Sequence, residues 1–122
     1  MATILIVDDA NLCRKTSRRI LESAGYQVTD VADGLAALER YALDRPDLVL
    51  LDITMAGMGG LEVLDQLRTM DPDARIVMAT ADVQSSTREL AKAGGAAGFV
   101  AKPFAADHVL AAVAGALQGA AL

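Results

Sequence analysis

Five short apolar runs, at residues 4–7, 27–31, 48–51, 76–79 and 98–100, each followed by a helical pattern, constrain this chain more than any other feature. Four of the five are apolar or nearly so along their whole length. A strand with one wet face alternates apolar and polar residues, because successive side chains point to opposite sides. A strand without that alternation is covered on both faces, as in a parallel sheet sandwiched by helices. The helical patterns fall at residues 11–24, 35–43, 61–70, 85–93 and 107–117. In the first, Cys13, Ser17, Ile20, Leu21 and Ala24 share one face at helical spacing. Gly25 suits the position after that helix. Asp33-Gly34 opens the second and residues 44–46 end it, Asp71-Pro72 ends the third, and Gly94-Gly95 ends the fourth. Asp107 is the expected N-cap of the fifth. Strand and helix alternating five times imply an α/β fold with a doubly wound, five-stranded parallel sheet. No repeat or linker interrupts it, so residues 1–122 are expected to form one domain without an appended output module.

At 122 residues, 53% of them hydrophobic and 3% aromatic, the chain can build a core from small aliphatic side chains. Disorder would require low hydrophobicity with high net charge. The net charge of −5 disfavours direct contact with nucleic acid, whose phosphates an acidic surface repels. The densest basic pairs, Arg14-Lys15 and Arg18-Arg19, lie on a helical pattern. Cys13 is the single cysteine, which excludes an internal disulfide and fits a reducing compartment. The first residues run into a strand without a basic segment or cleavage site. The apolar stretch 109–117 is too short to cross a bilayer, which takes about 20 residues. A cytoplasmic location, with no membrane partner, is expected.

In doubly wound sheets ligands sit beyond the carboxyl ends of the strands. Asp8 and Asp9 follow the first strand, Asp52 the third, Thr80 the fourth, and Lys102-Pro103 the fifth. Three carboxylates, a hydroxyl and an ammonium therefore converge on one edge. Two like charges about 4 Å apart repel by about 4 kcal/mol at an effective dielectric of about 20. A hard divalent cation would offset that, and Mg²⁺ favours one or two carboxylates with water and phosphate oxygens. A carboxylate beside Mg²⁺ and a lysine can form an aspartyl phosphate.

The segments that carry these residues are Ile4-Leu5-Ile6-Val7-Asp8-Asp9, Leu50-Leu51-Asp52-Ile53-Thr54-Met55, Met78-Ala79-Thr80-Ala81 and Phe99-Val100-Ala101-Lys102-Pro103-Phe104. Together and in this order they resemble the receiver domain of bacterial response regulators, over essentially the whole chain. The resemblance implies the flavodoxin-like strand order 2-1-3-4-5 of the CheY-like fold. It implies a phosphorylation-activated switch in two-component signalling that catalyses only its own phosphotransfer and dephosphorylation. Asp52 would be the phosphoacceptor. Mg²⁺ would be held by Asp9 directly, by Asp8 through water, and by Asp52 and the Thr54 carbonyl. Lys102 would pair with the phosphoryl group, and Thr80 and Phe99 would be the switch pair. A sensor histidine kinase or phosphotransfer protein would be the donor. A downstream protein would dock on the face of the fourth helix, fifth strand and fifth helix, with a second copy of the chain as another candidate. Thr54 and Asp82 would flank the path of the attacking water. One departure stands out: the family usually has Met-Pro where this chain has Met55-Ala56, which suggests a more mobile loop.

Other readings compete. Asp9 could cap the first helix, Thr80 could be a turn residue, and Phe99 could be core. Lys102 could be extended simply because it precedes Pro, and the isomer of that bond is open. Cys13 reads as a small apolar residue and His108 as a solvated first-turn residue. A constitutive pseudo-receiver that binds proteins without turning over phosphate is the main alternative. A free-standing aspartyl-phosphate phosphatase would need an acid two residues beyond its nucleophile, where Thr54 stands. The fifth helix carries an apolar stripe, Val109, Leu110, Val113, Ala116 and Leu117. Its opposite face, Ala111, Ala114, Gly115 and Gln118, has no charge, which suggests a covered surface.

Overall fold

The computed structural model describes residues 2–82 and 84–119. The elements are β1 (Thr3–Val7), α1 (Asn11–Ser23), β2 (Gln27–Val31), α2 (Gly34–Asp44), β3 (Leu48–Asp52), α3 (Gly60–Met70), β4 (Ile76–Thr80), α4 (Ser85–Ala93), β5 (Gly98–Ala101) and α5 (Ala106–Leu117). All strand pairs are parallel, in the order β2-β1-β3-β4-β5. The fold expected from the alternation and the resemblance is the fold observed.

The sheet divides the interior into two cores, and strand parity assigns residues between them. Leu5, Val7, Val49, Leu51, Ile76 and Met78 pack with Ala37, Tyr41, Val63, Leu64, Leu67 and Ala91 of α2, α3 and α4. Ile4, Ile6, Leu48, Leu50, Val77, Ala79 and Val100 pack with Leu21, Val109, Val113 and Ala116 of α1 and α5. This is why β1, β3 and β4 show no alternation: every second side chain enters a different core. β2 is an edge strand, and its Gln27 and Thr29 are exposed. The apolar stripe of α5 is buried or half-buried as expected, while Ala111 is exposed and Ala114 half-buried.

Helix ends show where local signals held. α1 stops one residue earlier than its periodicity suggested, and Ala24 is exposed. Gly25 then takes φ +94°, and Gly25 N–H donates to the Glu22 carbonyl while Tyr26 N–H donates to that of Leu21. This double closure needs a left-handed residue, which glycine adopts without steric penalty. Asp33 caps α2, accepting from Ala36 N–H at 2.8 Å. Asp107 is not a cap: α5 begins one residue earlier, after Ala105. Its carboxylate instead lies in the first turn, where the helix dipole favours an anion.

The start of α3 presses directly on the strand that carries Asp52. A Cβ on Gly60 would lie 2.1 Å from the Asp52 carbonyl oxygen and 2.6 Å from the Ile53 Cα. Only a residue without a side chain permits that approach. The contact fixes the turn between β3 and α3, closed by Gly60 N–H donating to the Ile53 carbonyl at 2.9 Å.

Candidate active site at the carboxyl edge of the sheet

Asp8, Asp52 and Thr80 are the acidic and hydroxyl groups at the ends of β1, β3 and β4, and each is 3% exposed or less. Asp9 is exposed. One carboxylate oxygen from each of Asp8, Asp9 and Asp52 lies within 4.8 Å of the others. The Lys102 ammonium reaches in from the end of β5, 2.7 Å from Asp8 Oδ2 and 3.4 Å from Asp52 Oδ1. Three sequence-distant segments thus meet at one cation. The peptide bond between Lys102 and Pro103 is cis, and Lys102 N–H donates to the Thr80 carbonyl at 2.8 Å.

The backbone positions these groups. Asp8 Oδ1 accepts from Ala10 N–H at 2.9 Å. The Arg14 guanidinium donates to the Asp8 carbonyl at 2.7 Å and lies 3.5 Å from the Asp30 carboxylate on β2. Arg18 pairs with Asp30 and Glu22, so Arg14 and Arg18 are matched by acids. Asp52 Oδ1 accepts from Thr54 N–H at 3.3 Å. Asp9 does not cap α1; its Oδ2 accepts from Ala56 N–H at 3.0 Å. The turn that lacks the usual proline is therefore tied to the acidic loop.

Electrostatics set Asp52 apart. Burial and then the neighbouring Asp8 carboxylate push its pKa up to about 6, although Lys102 and the Thr54 N–H act in the opposite direction. Burial also works against the charge on Lys102. Its hydrogen bond to Asp8 and the fields of Asp8 and Asp52 outweigh that, and its pKa is raised. Three carboxylates around one ammonium leave two formal negative charges uncompensated. That donor set, all oxygen and net anionic, suits a hard divalent cation.

The switch candidates stand nearby but are not engaged with Asp52. The Thr80 hydroxyl accepts from Asp82 N–H at 3.1 Å. Phe99 is half-buried against the α2–α4 core, with the Arg88 guanidinium 5.6 Å from its ring centroid. Asp82 accepts from Gln84 N–H and from the Thr87 hydroxyl, at 3.1 and 2.9 Å, so its carboxylate serves the approach to α4. Cys13 is half-buried with a free thiol, and His108 is exposed in the first turn of α5. The roles of Arg14 and Ala56 were not visible in the sequence: the first acts through a guanidinium on a backbone carbonyl, the second through a backbone N–H.

A doubly wound parallel sheet with carboxylates from β1 and β3 and a lysine from β5 at its carboxyl edge defines a receiver-type protein. The chain belongs to the response regulator receiver domain family, whose sequence pattern matches residues 4–114. It is 41% identical to the chemotaxis protein CheY of Listeria monocytogenes over 93% of this chain and 96% of that one. It is 43% identical to the response regulator MprA of Mycobacterium ulcerans, over 88% of this chain but 47% of that protein. Among solved structures, chemotaxis protein CheY4 of Vibrio cholerae superposes with a TM-score of 0.89 at 32% identity, covering 93% of this chain and 97% of that one. A LuxR-family two-component response regulator from Aurantimonas superposes with a TM-score of 0.94 at 33% identity, covering 99% and 88%. The chain is thus a receiver of two-component signalling, a phosphorylation-activated switch, and the constitutive pseudo-receiver reading is not favoured. Among the described residues no helix is long and apolar enough to cross a membrane.

Proposed function

We propose that Asp52 is the phosphoacceptor and that Asp8, Asp9, Asp52 and the Thr54 carbonyl hold Mg²⁺ beside it. The observation that carries this is the Lys102 ammonium between Asp8 and Asp52, with Asp9 inside the same 4.8 Å cluster. The bound cation would supply charge neutralisation for the incoming phosphoryl oxygens. The donor is a phosphohistidine on a kinase or phosphotransfer protein, or a small acyl phosphate. An Asp52 carboxylate oxygen forms the new bond to phosphorus. With phosphohistidine the P–N bond breaks and its electron pair stays on the imidazole nitrogen; with an acyl phosphate the P–O bond breaks and its electron pair leaves on the carboxylate. Asp52 reacts as the anion, and a pKa of about 6 leaves it largely ionised at pH 7. Lys102 exchanges part of its contact with Asp52 for the phosphoryl oxygens.

Output follows from Thr80 and Phe99. The Thr80 hydroxyl turns to donate to a phosphoryl oxygen and gives up its contact with Asp82 N–H, which loosens the start of α4. Phe99 moves inward from its half-buried position, away from Arg88. The face formed by α4, β5 and α5 changes shape and docks a downstream protein or a second copy of the chain. The setting is the cytoplasm. Incubation with acetyl phosphate and Mg²⁺, read by intact mass, tests the assignment. The wild type gains one phosphoryl group and Asp52→Asn gains none; equal labelling of the variant refutes it.

A further inference from the structure

We infer that the backbone N–H of Ala56 positions Asp9 as a cation ligand, a role that a proline at this site cannot fill. The inference rests on the reading that Asp8, Asp9 and Asp52 hold Mg²⁺. Asp9 Oδ2 accepts from Ala56 N–H at 3.0 Å across 47 residues of sequence. Asp9 is exposed, so without a partner its side chain would sample several rotamers. An N–H to a carboxylate is a charge-assisted bond and holds the group in one orientation. The carboxylate keeps its second oxygen and a further lone pair for a cation. A ligand already oriented loses less freedom when the cation binds.

Both ends of this bridge are themselves anchored. On one side, the Asp8 side chain accepts from Ala10 N–H and Arg14 grips the Asp8 carbonyl. On the other, Gly60 N–H closes the turn on the Ile53 carbonyl, and Asp52 accepts from Thr54 N–H. The bond thus joins the segment carrying Asp8 and Asp9 to the segment carrying Asp52 and Thr54. Proline has no N–H and would leave these two segments without this link. Ala56 acts through Asp9 and is a positioning residue.

The test is a Mg²⁺ titration of wild type, Ala56→Pro and Ala56→Ser, followed by backbone amide chemical shifts. Serine retains the N–H and proline removes it. One hydrogen bond of this kind corresponds to a threefold to tenfold change, roughly, in affinity. Ala56→Pro should weaken Mg²⁺ binding by about that factor, and Ala56→Ser should match the wild type. In wild type without divalent cations, the Ala56 amide should exchange more slowly than a free exposed amide, a measurement independent of whether the proline variant folds. Equal affinity in wild type and Ala56→Pro overturns the inference alone, as does unprotected exchange at Ala56. Mg²⁺-induced shifts that persist when Asp8 and Asp9 are both replaced by Asn overturn the cation site, and this inference with it.

Discussion

Replacing Asp52 by Asn should make the protein more stable at neutral pH in the absence of divalent cations. Asp52 is 3% exposed, and burial together with the Asp8 carboxylate raises its pKa from 3.8 to about 6. A carboxyl group whose pKa is higher in the folded than in the unfolded state favours folding while protonated. That contribution is complete below about pH 3.8 and is lost as pH rises through about 6. At about 1.4 kcal/mol per pH unit, two units amount to roughly 3 kcal/mol. Asn abolishes the charge and can still accept from Thr54 N–H, while Lys102 keeps its closer partner, Asp8 at 2.7 Å. The lost Lys102–Asp52 contact at 3.4 Å offsets part of the gain, which leaves about 1–3 kcal/mol. With an unfolding entropy of about 2.1 cal/mol/K per residue, that raises Tm by about 4–12 °C at pH 7.5. Thermal melts by circular dichroism in EDTA, from pH 4 to pH 8, measure the gap between the two proteins. Acids remote from the site titrate alike in both, so the difference isolates Asp52 and the groups coupled to it. A variant no more stable at pH 7.5, or a gap that stays constant down to pH 4, refutes the reasoning.

Mg²⁺ at millimolar concentration should raise the Tm of the wild type, because a cation held by the folded site alone would stabilise it. It should leave the variant carrying both Asp8→Asn and Asp9→Asn unchanged, and an equal shift in the two would locate the metal elsewhere. Gly60→Ala should cost roughly 3 kcal/mol or more, since its Cβ meets backbone at 2.1 Å; urea unfolding measures this, and a loss under about 1 kcal/mol contradicts the close approach. Ala111→Glu, at an exposed position of α5, should leave stability within about 0.5 kcal/mol. It should weaken association of the phosphorylated protein with its target or with itself, read by light scattering and pull-down, and unchanged association removes this face from the output surface.

The strands were legible because both sheet faces are covered, which writes β1, β3 and β4 as unbroken apolar runs. The site was legible because each of its charged side chains stands at or just beyond a strand end, where the fold class puts ligands. What was not legible acts through backbone. Asp9 has the composition of a cap, but its carboxylate is claimed by an N–H 47 residues away. The bonds that the Asp82 carboxylate accepts from Gln84 N–H and the Thr87 hydroxyl were likewise hidden. Asp107 looked like a cap because the helix start cannot be fixed within a residue from periodicity. The loop at Met55-Ala56 read as loosened by the absent proline, since sequence reports the lost ring and not the gained donor. Arg14 read only as half of a basic pair on a helical pattern, and only the fold brings its guanidinium to the Asp8 carbonyl.

Strand parity gives the sheet the character of a partition between two compartments. Residues two apart on a strand share a side, so Asp52 continues the row of Leu48 and Leu50 toward α1 and α5, whereas Thr80 continues the row of Ile76 and Met78 toward α2, α3 and α4. Phe99 sits opposite Met78 in the register and packs into that second compartment. The carboxylate proposed as acceptor and the two residues proposed as the switch therefore belong to different rooms of the molecule, with a hydrogen-bonded wall between them. On the proposed reading, a signal between them would have to pass around the end of the wall, at the carboxyl edge.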